Sequence, residues 1–203
     1  MKRIRQLCIA GWKMIDPVYF HFTRLQYIKK KCGKETIIRV RLTRYQGKNI
    51  VLTDGTEIRK NDILVKVHLQ NAKLLSEIMH YKNELRKAKI VYSRVKDSLP
   101  AVVDYVQVSK HKDEIKGLIG ITTLYKGCKR LGFEPHSIIS PAYKKFKQTA
   151  LLPIYFLSTN NQLNQGLPEP MYLFMSKDTL FQKYSSASIV GNENKTLESN
   201  LIN

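Results

Sequence analysis

Acidic residues are scarce in this sequence. Sixteen Asp and Glu stand against 35 Lys and Arg in 203 residues, which leaves a formal net charge of +19. A charge so far from neutral calls for an anionic partner: nucleic acid, an anionic membrane face or a phosphate-bearing polymer. Solubility alone is the competing explanation. Cysteine is scarce too. Cys8, Cys32 and Cys128 are odd in number, widely spaced and form no CxxC. That argues against a disulfide framework or a zinc site, and reads as reduced thiols of a cytosolic protein. Long apolar runs are missing. Met1, Lys2, Arg3, Ile4 and Arg5 open like a signal sequence, but the apolar run from Leu7 to Trp12 is too short for a secretory signal or a membrane span. No GxSxG, HExxH or paired-carboxylate motif is present, nor an RRM, KH or helix-turn-helix signature. No catalytic residue, cofactor or metal ligand is therefore expected.

What is present is a chain rich enough in apolar residues for one core, at 43%, and its patterning reads as an α+β domain over residues 1–184. The stretch from Thr36 to Asn71 organises it. Ile38, Val40 and Leu42 alternate with Arg39 and Arg41, with Arg44 nearby, the period-two signature of a half-buried strand with one cationic face. Gln46-Gly47-Lys48-Asn49 turns, Ile50 to Leu52 and Thr56 to Ile58 make short strands around Asp54-Gly55, and Lys60-Asn61-Asp62 turns into a last strand over 63–69. These strands predict a small β-meander.

One long helix is expected to lie on that meander, its apolar stripe running through Leu75, Ile78, Tyr81, Leu85, Ala88, Tyr92, Val95 and Leu99. Glu84 and Lys87 would lie on its solvated face, and Pro100 ends or kinks it. A β-α-β unit over 115–139 follows, with its helix over 123–131 and Gly132 as C-cap. Gly117 and Gly120 match neither the GxGxxG nor the Walker spacing. Ser140 and Pro141 start another helix, with Lys144, Lys145 and Lys147 as a basic cluster. A strand over 171–175 and a short helix over 177–184 close the domain. Helices are also expected over 3–15 and around Tyr19–Ile28. The polar residues 185–203 read as a disordered tail.

Turn chemistry accounts for Asp54 and Asp62, and a structural role for His68. A polar site of Asp54, Asp62, His68 and Asn71, with Glu114, is the functional alternative, and an enzyme would place its site near His68. For anion binding the candidates are Arg39, Arg41, Arg44, Lys82, Arg86, Lys87, Lys144 and Lys145. Tyr45, Tyr81 and Tyr92 lie among basic residues, the composition a nucleic-acid-binding protein would use. Trp12, Tyr19 and Phe20 beside cationic ends would suit a membrane interface.

The run RYQGKNIVLTDGTEIRKNDILVKVHLQN resembles the central pattern of the YkoP-like domain family of bacterial proteins. The matching residues are Arg44, Tyr45, Gly47, Leu52, Asp54, Gly55, Ile58, Asp62, His68, Leu69 and Asn71. Flanking similarity lies in Trp12, Asp16, Pro17 and Phe22 to Leu25, and in Gly120 to Thr122 with Arg130 to Phe133. The family pattern often has glycine before the residue matched by Asp62; here it is Asn61, which leaves the turn type open. Similar domains occur fused to polysaccharide deacetylases. The resemblance therefore implies an accessory module of cell-envelope glycan metabolism, without carrying over any catalytic residue. The partner expected is an anionic membrane surface, a phosphorylated glycan precursor or a protein. The place expected is the cytoplasm, at or near the inner face of the membrane.

Overall fold

The computed structural model describes residues 25–123, 125, 127–158 and 169–185. The expected helix over 3–15, residues 19–24 of the helix expected around Tyr19–Ile28, and the tail from 186 lie outside them; Gln26–Ile28 belong to a strand instead of that helix. The architecture is α+β, built on a six-stranded sheet. Its strands are β1 (Gln26–Lys29), β2 (Glu35–Arg44), β5 (Ile63–Leu69), β6 (Ile115–Thr122), β8 (Met171–Ser176) and β7 (Glu134–Ser137), in that spatial order. Between β2 and β5 the chain makes a separate two-stranded ribbon, β3 (Ile50–Val51) and β4 (Glu57–Ile58). The strands expected over 36–69 are all present, but β2 pairs with β5 directly, from Ile38 opposite Leu69 to Arg44 opposite Ile63. Asn61 has φ 73°, the left-handed conformation that glycine adopts freely and that asparagine tolerates.

Three helices, α1 (Asn71–Ile78), α2 (Glu84–Lys96) and α3 (Leu99–Val108), join β5 to its parallel neighbour β6. The one long helix of the sequence reading is thus broken. Asn83 caps α2, its side chain accepting from the Arg86 N–H at 3.1 Å. The break interrupts the apolar stripe. Leu85, expected inward, is exposed, and Lys87, expected outward, is buried. Pro100 sits in the first turn of α3, where its missing N–H costs nothing.

Of the helix expected over 123–131, the described residues form only a 3-10 turn, Cys128–Leu131, closed by Gly132 at φ 93°. β6 and β7 are not neighbours in a crossover. β8 lies between them and is antiparallel to both. The crossover exists instead between β5 and β6. Two further helices, α4 (Pro141–Ser158) and α5 (Lys177–Tyr184), complete the described fold.

The two sheet faces differ. Ile38, Val40 and Val65 point to the main core, with Leu118 and Met175, under Val102 and Val106 of α3 and Leu180 of α5. The opposite face carries a smaller apolar cluster at one end: Tyr45, Leu52, Ile58, Leu64, Ile119 and Phe174. The ribbon covers that end. Asp54 holds it down by accepting from Ser176 Oγ and from Thr179 Oγ1 at 3.1 Å. The Thr53 hydroxyl donates to Glu134 at 2.7 Å. The other end of this face is not apolar.

Candidate functional site

Because side chains alternate along a strand, the residues between the core positions of β2 and β5 share the second face. On β2 these are Arg39 and Arg41; on β5 they are Leu64, Lys66 and His68. The antiparallel register sets Arg41 opposite Lys66 and Arg39 opposite His68. Like charges directly opposite one another destabilise a sheet unless other contacts compensate them. The next strand contributes Ile119, the registered neighbour of Lys66. Beyond it lie Phe174 and Tyr172 of β8 and His136 of β7.

α4 brings a further cation. Tyr143 stacks on Tyr172, with centroids 6.4 Å apart and an interplanar angle of 22°. Lys147, one turn on, puts its amine 5.3 Å from the centroid of Tyr143 and 5.4 Å from that of Phe146. Arg39 lies over the ring of Tyr27 at 4.7 Å. The Nε atoms of Arg39 and Arg41 are closed off from solvent. Arg39 is buried, while Arg41, Lys66, His68 and Lys147 are half-buried.

The electrostatics follow from that crowding. Burial first, then Arg41 and Lys147, bring the Lys66 amine down to about 8. Burial, followed by Lys66, Arg41, Lys147 and Arg39, holds His68 down to about 3, so its imidazole is neutral at pH 7. Burial and Arg41 lower Lys147 as well. The charged groups that lower these three are Arg39, Arg41, Lys66 and Lys147, all cations. A neutral imidazole beside two guanidinium groups and two amines is a poor acid–base catalyst at neutral pH, and a good part of an anion site.

The sequence-derived sites disperse accordingly. Arg39 and Arg41 stand in the cluster, and His68 with them. Arg44 is exposed at the far end of β2, donating to the Asn61 carbonyl at 3.3 Å. Asp62 accepts from the Arg59 N–H at 2.7 Å, a turn role, and Asn71 opens α1. Asp54 is part of the ribbon tether. Burial raises its pKa, but the hydrogen bonds from Ser176, Thr56 and Thr179 outweigh this and hold it below the ordinary value. The four residues of the expected polar site do not form one group; His68 lies at the opposite end of β5 from Asp62. Glu114 faces His111 at 2.8 Å.

Lys87 pairs with Glu84 at 2.9 Å, and Arg86 covers the Tyr81 ring at 4.5 Å. Lys82 and Lys145 are exposed, and Lys144 pairs with Glu169 at 2.7 Å. Tyr45 is buried, donating to the Lys48 carbonyl at 2.9 Å. Burial pushes the Cys128 thiol up to about 11, leaving it unreactive. Lys66 was not among the candidate residues, and Lys147 stood only in the basic cluster with Lys144 and Lys145. Lys66 was legible as the polar member of an alternating strand, IleLeuValLysValHisLeu, but its partner across the ladder depends on register.

Among the described residues no group of three or more His, Cys, Asp or Glu is placed to hold a metal. Among the described residues no helix is long and apolar enough to cross a membrane. What fold and face together define is an α+β domain whose sheet carries a half-buried cationic cluster. The family model of the YkoP domain matches residues 5–184, and the chain belongs to that family. It is 43% identical over 176 residues, 87% of this chain and 95% of the relative, to a protein of Bacillus subtilis (strain 168) named "Uncharacterized protein YkoP". No solved structure matches the chain.

Proposed function

We propose that this chain is a non-catalytic binding module that holds a small phosphate-bearing ligand on the cationic face of its sheet. The single observation that carries the reading is the direct opposition of Arg41 and Lys66 in the ladder, with Lys147 adjoining from α4. Gathering like charges in a half-buried place costs stability, and a bound anion offsets that cost. Guanidinium groups suit phosphate oxygens because their paired N–H donors match the phosphate edge. The half-burial of the cluster favours a small ligand over a flat membrane face. The resemblance implies cell-envelope glycan metabolism as the setting, so a phosphorylated glycan precursor on the cytoplasmic side is the ligand class of choice.

Titration calorimetry with glucose 1-phosphate, inorganic pyrophosphate and unphosphorylated glucose tests the reading. Both phosphates should bind, and glucose should not. Arg41→Gln should weaken binding by about tenfold or more, the scale set by loss of one desolvated charge partner. Absence of phosphate binding overturns the proposal. So does tighter binding to a single-stranded oligonucleotide or to anionic vesicles in a parallel salt series, since counterion release would then describe the interaction better.

A further inference from the structure

We infer that α4 lies flat on an anionic phospholipid surface, through the side that it turns away from the sheet. Its inner side is taken: Tyr143 stacks on Tyr172, and Lys147, one turn on, is half-buried. Its outer side is open. Ala142, Phe146, Thr149 and Ala150 recur at helical spacing and are exposed, with Lys145 beside them. Phe146 stays 62% exposed although Tyr143 and Lys147 adjoin its ring, and Ile139, just before the helix, is 61% exposed. A run of exposed apolar side chains on one helix side marks an interaction surface rather than a scatter of single residues.

Charge selects the partner. No Asp or Glu stands between Glu134 and Glu169, a stretch that holds Lys144, Lys145 and Lys147. Lys144 is engaged by Glu169 at 2.7 Å, while Lys145 is exposed next to Phe146. From Ala150 to Leu157 the helix carries no charged residue. Apolar groups and an ammonium on one convex helix side suit a bilayer interface: the ring enters the acyl boundary, and the lysine reaches the lipid phosphates. A nucleic acid would satisfy the amine and leave Phe146 and Ile139 uncovered. α2 exposes Leu85 as well, but the acidic Glu84 precedes it directly.

This contact does not depend on the phosphate reading. The cationic cluster adjoins the inner side of α4 and the membrane its outer side, so neither excludes the other. One aromatic ring and few cations give weak, reversible attachment. Half-maximal binding at about 0.1 mM lipid or above is the scale of a single acyl chain. A lysine near an anionic surface contributes about fivefold, and an inserted Phe about tenfold.

The full chain is sedimented with vesicles of mixed phosphatidylglycerol and phosphatidylcholine, and with vesicles of phosphatidylcholine alone. It should bind the mixed vesicles about tenfold more tightly, and less so as salt rises. Phe146→Gln should weaken that binding about tenfold and Lys145→Gln about fivefold, with folding of each checked by circular dichroism. Leu85→Gln, which replaces an apolar residue exposed on α2, should leave it unchanged. Binding that survives Phe146→Gln, or that falls as far with Leu85→Gln, overturns the inference. A dimer in analytical ultracentrifugation that Phe146→Gln dissociates also overturns it, since a second copy would then cover the face. Calorimetry with glucose 1-phosphate keeps the two proposals apart. Phosphate binding without sedimentation on the mixed vesicles overturns the membrane contact and leaves the binding reading standing; sedimentation without phosphate binding does the reverse.

Discussion

Asp54 accepts a hydrogen bond from Ser176, a residue 122 positions further along the chain. Ser176 is also the N-cap of α5, where its hydroxyl accepts from the Thr179 N–H at 3.0 Å. One carboxylate therefore ties the ribbon to the start of the last helix, where a negative charge is favoured by the helix dipole. Asp54→Ala should lower stability by ~1 kcal/mol, the scale of a capping interaction discounted for exposure. Its folded pKa is depressed, so the contribution is present above the ordinary carboxylate range and is lost as pH falls through and below it. Denaturant titrations of both proteins at neutral and acid pH check this; a gap that persists at acid pH contradicts it.

Anion binding should depend on pH through Lys66. Below about 8 the amine is already protonated in the free protein. An anion on the cluster favours the ammonium form, so affinity should fall as pH rises above about 8 and binding should take up a proton there. Calorimetry in two buffers of different ionisation enthalpy reads that proton directly. Lys66→Met should remove the uptake.

His68 makes the fold acid-sensitive. Its folded pKa is about 3, against 6.5 ordinarily. Between those values the unfolded chain binds the proton and the folded one does not, so stability rises with pH across that window and levels off above it. His68→Gln should flatten the rise. Chemical denaturation at pH 4, 5 and 7 would measure it, and an unchanged slope in the variant would assign the acid sensitivity elsewhere.

Gly117 is a packing requirement. It pairs with Ser176 on β8, and a Cβ there would overlap the Met175 carbonyl oxygen, which is backbone and cannot swing away. Gly117→Ala should cost ~1–3 kcal/mol by overpacking. Gly120→Ala, on the same strand, meets nothing nearer than 3.8 Å and should be tolerated far better. Thermal denaturation of the two variants makes the comparison.

Much of the fold was legible from local patterns. The alternation of Ile38, Val40 and Leu42 with two arginines marked β2, and the Asp54-Gly55 turn marked the ribbon. Ser140 and Pro141 marked the start of α4. The helix over 123–131 failed because the described chain there makes only a short turn ended by Gly132, and the apolar positions alone did not report that. The stripe over 75–99 is interrupted because a cap, Asn83, restarts the helix and turns Leu85 and Ala88 outward, while Tyr92, Val95 and Leu99 still face the core. With the stripe interrupted there, Lys87 went from an expected surface cation to a buried partner of Glu84.

The candidate site was half legible. Arg39 and Arg41 share a face by strand period alone, and so do Lys66 and His68. Period, however, is a property of one strand at a time. By itself the sequence determined the α+β class, the strand and turn positions around residues 36–69, and the excess of positive charge. Only the tertiary structure decided that β2 and β5 pair directly, since the ribbon between them leaves the sheet and no local signal sets that register. That register, with α4 laid across the same face, turned scattered basic residues into one half-buried cluster.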